Sequence, residues 1–178
     1  KAIHGRLGQC EMADQMVGIE MLKSQPYVDA DRIGVHGWSY GGFMTSMVIA
    51  KTKRFKAASV GAGVTNLMSF TGTSDIPSFL PDYFGGEFWD RLDTYMKHSA
   101  MFNIKGVSTP TQILHGKEDI RVPLSQSMEL YNALKRQNCP TEMIIYPRTP
   151  HSPLADPKFL EDLGNRQLAW FNKHLRKR

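Results

Sequence analysis

Three short stretches of the sequence hold residue types that can do covalent chemistry. Ser39 lies in Gly37-Trp38-Ser39-Tyr40-Gly41-Gly42, Asp119 in His115-Gly116-Lys117-Glu118-Asp119, and His151 just after Pro150. A serine hydroxyl is a weak nucleophile until a base takes its proton. An imidazole base in turn needs a carboxylate to fix its tautomer and steady the cation that forms. Ser39, Asp119 and His151 are the parts of such a relay, in the chain order serine, acid, histidine. Glu118 adjoins Asp119 and competes for the acid role. The chain has 6 histidines. His4 and His174 lie near its ends, and His98 precedes no strand end facing the serine. His36 and His115 sit at strand ends upstream of the serine and the acid, where packing or hydrogen bonding suits them better.

The glycines around Ser39 fit the G-x-S-x-G turn of an α/β-hydrolase, a sharp strand-to-helix corner that exposes the serine Oγ. Side chains two positions either side of the serine are expected to clash with the neighbouring strand and helix. In this reading His151 removes the Ser39 proton as Oγ attacks a carbonyl, and Asp119 steadies the imidazolium. The imidazolium then protonates the leaving group, and water releases the acyl group. The oxyanion needs fixed donors, and the backbone N–H of Tyr40, which opens a helix, is expected to be one.

The elements that must hold these residues follow from hydrophobic periodicity. Residues 11–24 carry a helical stripe of Met12, Met16, Ile19 and Leu22, limited by Pro26. Residues 32–36 read as a short strand, 37–42 as a glycine corner and 43–51 as an apolar helix. Residues 55–60 are the next strand. Residues 61–90 read as a long irregular segment, of the kind that is functional or lid-like in a compact domain. A helix over 92–99 precedes a strand at 111–115. An amphipathic helix over 124–137 (Met128, Leu130, Tyr131, Leu134) leads to a strand at 141–146. After a loop over 148–157, residues 159–175 form a closing helix with Leu160, Leu168 and Trp170 on its stripe. Strands alternating with helices imply parallel βαβ units. The expected class is α/β: the C-terminal portion of a mostly parallel α/β-hydrolase sheet flanked by helices.

Bulk properties narrow the partners. The 178 residues are 41% hydrophobic and 22% charged, an ordinary globular composition. The net charge of +5 is scattered apart from Arg176-Lys177-Arg178, which argues against a nucleic-acid face. No apolar run approaches the roughly 20 residues that cross a bilayer. Cys10 and Cys139 make neither a disulfide framework nor a CxxC pair, and no metal-ligand spacing occurs. No cofactor is expected. A cytoplasmic setting is favoured, although the start at Lys1 carries no information on targeting.

Several motifs together resemble the catalytic domain of the prolyl oligopeptidase family of serine peptidases, over nearly the whole chain. They are Gly37-Trp38-Ser39-Tyr40-Gly41-Gly42-Phe43-Met44-Thr45, Asp14-Gln15, residues 28–33, His115 to Pro123, and Tyr146-Pro147-Arg148 leading to Pro150-His151. The Arg-Val-Pro after the acid and the Pro before the histidine favour the acylaminoacyl-peptidase side over the dipeptidyl-peptidase side. The resemblance implies hydrolysis of short peptides with release of N-terminal dipeptides or acylamino acids. It also implies an apolar pocket for the residue before the cleaved bond, lined here by Tyr40, Val64, Phe70 and Val122. The sequence departs from the family at Ser152-Pro153, where relatives usually have Gly after the histidine.

Family members also carry earlier strands of the sheet, a loop with a second oxyanion donor and an N-terminal β-propeller. Residues 1–178 are therefore expected to be the C-terminal part of a peptidase catalytic domain. Two other readings stand beside the peptidase: an esterase or lipase with the same relay, and an inactive fragment acting as an oligomerisation module. A sheet cut from a larger one exposes an edge and is expected to dimerise, swap or rely on a covering segment.

Overall fold

The computed structural model of the chain describes residues 4–152 and 156–176. Its organising feature is a sheet of four parallel strands in the order β1-β2-β3-β4. The strands are β1 (Gly34–Trp38), β2 (Ala57–Gly61), β3 (Thr111–Gly116) and β4 (Thr141–Tyr146). β2 and β3 are buried along their whole length, and β1 and β4 form the edges. Helix α1 (Gln9–Lys23) precedes β1, and α2 (Tyr40–Lys51) follows it. α6 (Leu124–Arg136) joins β3 to β4, and α7 (Pro157–Leu175) closes the chain.

The two faces of the sheet are covered differently. Val48 and Ile49 of α2, Leu130 and Leu134 of α6, and Ala58, Val60 and Ile113 of the sheet form one apolar core with Ile19 of α1. On the other face α7 meets polar side chains. Gln167 donates to Ser59 (3.1 Å), and the Gln112 amide donates to Glu142 (2.8 Å) and to the Arg166 carbonyl (3.1 Å). A second core (Phe43, Met47, Leu67, Phe70, Leu80, Tyr95) lies beyond the elbow. Fully burying one such side chain contributes about 1.5–3 kcal/mol.

The structure shifts several sequence expectations. The first strand is 34–38 rather than 32–36, because Arg32 is tied into the preceding turn. Its N–H donates to the Asp29 carbonyl (3.0 Å) and its guanidinium to the Asp29 carboxylate (2.7 Å). The following helix starts at Tyr40, leaving Ser39 alone as the corner. The segment 61–90 is not irregular throughout. It contains α3 (Leu67–Thr73), capped by Asn66, whose side chain accepts from the Met68 N–H at 3.2 Å. It also contains α4 (Phe79–Phe84), which buries Leu80 and Phe84. α5 (Leu92–Lys97) is followed by a 3-10 turn over Ala100–Asn103 that periodicity did not reveal. Leu22, Met128, Leu160 and Leu168, assigned to apolar stripes, are exposed.

No helix among the described residues is long and apolar enough to cross a membrane. Lys1, Ala2 and Ile3, Pro153, and Lys177-Arg178 lie outside the described residues.

Candidate active site

The C-terminal ends of β1, β3 and β4 meet at one end of the sheet, where ligands bind in open α/β sheets. Ser39 follows β1 with φ 58 and ψ −117, a conformation an L-residue adopts only under constraint. Such a residue costs on the order of 1–3 kcal/mol, which its surroundings must outweigh. Here they do so through the backbone. The Ser39 N–H donates to the Gly61 carbonyl (2.9 Å), and the Ser39 carbonyl accepts from the Phe43 N–H (2.9 Å). A Cβ on Gly37 would lie 2.4 Å from the Gly41 backbone, and one on Gly42 would lie 2.3 Å from the Gly61 oxygen. The expected crowding at Gly41 is absent, since a Cβ there meets nothing within 4 Å. The close approach falls one residue later, at Gly42, where the first turn of α2 crosses the end of β2.

From this corner a continuous relay runs inward. Ser39 Oγ is 2.7 Å from His151 Nε2, and His151 Nδ1 is 2.7 Å from Asp119 Oδ2. Asp119 Oδ1 accepts the Val122 N–H at 2.8 Å. The acid is buried, and burial alone would raise its pKa. The ring N–H of His115, the bond to His151 and the Val122 N–H outweigh burial and hold the carboxyl at about 2. Asp119 is thus an anion across the working pH range, as a partner for an imidazolium must be. Glu118, the competing acid, is exposed and only its backbone takes part.

The loop that carries His151 is fastened from three sides. Lys117 N–H donates to the Tyr146 carbonyl (2.8 Å) and Glu118 N–H to the Thr149 carbonyl (3.0 Å). The Trp38 indole N–H donates to the His151 carbonyl itself at 2.9 Å. Gly116 lets the two loops touch, because a Cβ there would lie 2.3 Å from the Thr149 oxygen.

The remaining described histidines do not reach Ser39. His36 is exposed with its ring edge-on to Phe171, and His174 packs on Trp170. His4 bonds the Asp82 carbonyl, and buried His98 bonds the Leu7 carbonyl at 2.6 Å. His115 is fully buried beside the acid, a neighbourhood that sequence order alone did not indicate.

Beside Ser39 and His151 opens an apolar cavity of about 210 Å³. Tyr40, Val64, Phe70 and Val122, the four pocket residues named from sequence, all line it. Leu7, Phe79, Leu80 and Arg121 line it too and were not named. The first three belong to segments whose apolar spacing could have been read as core facing a cavity. Arg121 carried no such signal, since its placement depends on a bidentate pair with Asp75 (2.6 and 3.3 Å). The Tyr40 phenol donates to the Glu11 carboxylate, which props the ring against the cavity mouth. Burial and that carboxylate push the phenol pKa up, so it stays protonated. Tyr40 N–H lies in the first turn of α2, where backbone N–H groups lack intrahelical partners. Among the described residues no group of three or more His, Cys, Asp or Glu side chains is arranged to hold a metal ion.

Comparison with known proteins bears on this site. The family model of the prolyl oligopeptidase family, Peptidase_S9, matches residues 1–178. An uncharacterised peptidase, YuxL, of Bacillus subtilis is 34% identical over 98% of this chain and 27% of its own length. Dipeptidyl-peptidase 5 of Porphyromonas gingivalis is 32% identical over 98% of this chain and 26% of its own. An acylaminoacyl peptidase solved in complex with Z-Gly-Gly-Phe-chloromethyl ketone superposes with a TM-score of 0.91, at 29% identity over 99% of this chain and 29% of its own. The chain therefore spans about a quarter of the length of these curated relatives. It belongs to the prolyl oligopeptidase family and has the α/β-hydrolase fold of the acylaminoacyl peptidases.

Proposed function

We propose that this member of the prolyl oligopeptidase family is a serine peptidase acting on short peptides, with Ser39 as nucleophile, His151 as base and Asp119 as acid. The observation that carries the reading is the unbroken relay of 2.7 Å contacts from Ser39 through His151 to a buried carboxylate. It opens onto an apolar cavity.

The chemistry follows from the geometry. His151 Nε2 takes the Ser39 proton as Oγ bonds to the substrate carbonyl carbon. Nδ1–H stays bonded to Asp119, which steadies the imidazolium without taking its proton. The negative oxygen is met by the Tyr40 N–H at the start of α2. The imidazolium then gives its proton to the leaving amine as the C–N bond breaks. Water, deprotonated by the same ring, attacks the acyl carbon, and the ring returns that proton to Ser39 Oγ as the acyl–oxygen bond breaks.

The cavity supports a substrate with a large apolar residue before the cleaved bond. A relative bound to a peptide reagent ending in phenylalanine is consistent with that preference. Within that class, acylaminoacyl amides are the substrates we favour over dipeptidyl amides. Ser39→Ala in the full protein carrying this chain is expected to abolish hydrolysis of an acyl-phenylalanine amide and labelling by a fluorophosphonate. Hydrolysis of the matching ester without the amide would instead support an esterase.

A further inference from the structure

We infer that His115 is a positioning residue for the acid, an imidazole whose Nε2–H holds the Val122 pocket wall and faces the Asp119 carboxylate. This rests on the reading of Ser39, His151 and Asp119 given above. His115 ends β3 and is fully buried. Its Nε2 is 2.7 Å from the Val122 carbonyl, an acceptor only, so this nitrogen carries the proton. Its Nδ1 is 2.6 Å from Ser127 Oγ on α6, within hydrogen-bond reach of that hydroxyl. Both ring nitrogens are thus engaged, and the ring is held in one orientation.

The same Nε2–H lies 3.4 Å from Asp119 Oδ2, the oxygen that receives His151. At that distance it is a poor hydrogen bond, and its direction is taken by Val122. It acts as the positive end of a dipole in a buried place where such dipoles count strongly. Val122 is gripped at both ends, its N–H by Asp119 and its carbonyl by His115. Its side chain lines the cavity. The acid's orientation and the pocket wall therefore share one anchor, reached through Ser127 from a helix remote from the serine. The charged groups nearby, Arg121 and Asp75, are paired with each other at the surface.

The test compares His115→Leu, His115→Gln and Ser127→Ala in the full protein, alongside Ser39→Ala. Removing the N–H dipole leaves Asp119 a stronger partner for the His151 cation. His115→Leu also frees the carboxylate and the Val122 wall to shift, and is expected to lower kcat/KM by about tenfold to a hundredfold through lost positioning. The pH of half-maximal kcat/KM is expected to rise by about half a unit to one unit. The His151 Nδ1 proton should move downfield in the NMR spectrum. Gln places an amide N–H near the position of Nε2 and is expected to restore both signals, while Ser127→Ala shifts them in the same direction by less.

Loss of stability with the pH midpoint and the Nδ1 proton unmoved in all three variants would overturn the inference. So would a Gln variant that folds yet behaves like Leu. Should the Leu variant not fold, the Gln and Ser127→Ala variants decide the matter alone. Activity surviving in Ser39→Ala would instead refute the functional reading beneath it.

Discussion

The serine and the histidine are positioned by opposite means. Ser39 is placed locally. Its conformation is imposed within one strand-to-helix turn, and the neighbouring glycines allow backbones to touch. His151 is placed from a distance. The Trp38 indole, the backbone of the acid loop and the Asp119 carboxylate each hold it, and none is closer than 32 residues in sequence. The first device tolerates almost no change at its contacts but needs no partner beyond β2. The second is spread over several bonds, so each can fail in part.

Substitutions test this contrast in descending order of effect. Asp119→Asn removes the charge that the histidine arm depends on. It is expected to lower kcat by about a thousandfold to ten-thousandfold while the fold persists, as measured by steady-state kinetics and circular dichroism. The same variant has a stability signature. The Asp119 pKa is lowered to about 2 on folding, so the unfolded chain binds more protons as pH falls. The stabilisation is present above the ordinary carboxylate pKa of about 4 and is lost as pH drops through about 2. Acid titrations of stability should therefore be flatter for Asp119→Asn over that window, and an unchanged slope would contradict the assignment.

Gly42→Ala breaks the local device. Its Cβ would press on backbone that has nowhere to go, and a loss of about 3 kcal/mol or more in thermal or denaturant unfolding is expected. Gly116→Ala pushes the Thr149 carbonyl and with it the histidine loop. About 1–3 kcal/mol of stability should be lost, with a disproportionate fall in kcat. Trp38→Phe keeps the ring beside Phe159 but removes one donor to the His151 carbonyl. It should cost about 1 kcal/mol and a modest loss of rate. Gly41→Ala is the control with the smallest effect. Its Cβ meets open space in a helix, so a gain of about 0.5–1 kcal/mol is expected. A large loss there would show that the elbow is crowded where the structure leaves it open.

The same contrast explains how far the sequence could be read. Residues governed by local rules were legible: the glycine corner, the strands read at 111–115 and 141–146, and the parallel order they imply. Ser39, Asp119 and His151 could be named because their types and order are chemically constrained. What the sequence hid depends on contacts between distant segments. Asn66 caps a helix inside a stretch rich in Gly, Pro and Ser, and propensity gave no hint of it. Trp38 reads as an ordinary strand aromatic until its indole is seen on the His151 carbonyl. The close approach at Gly42 rather than Gly41 follows from how α2 crosses β2, which no five-residue pattern records.

The parallel strand order also has a consequence in time. Parallel pairing joins distant parts of a chain, and such contacts form late because loop closure must precede their reward. The serine's corner requires only the β1–β2 pair, whereas its hydrogen-bond partner His151 is 112 residues away, on the loop after the edge strand β4. Ser39 and His151 therefore meet only once β2, β3 and β4 have paired in turn.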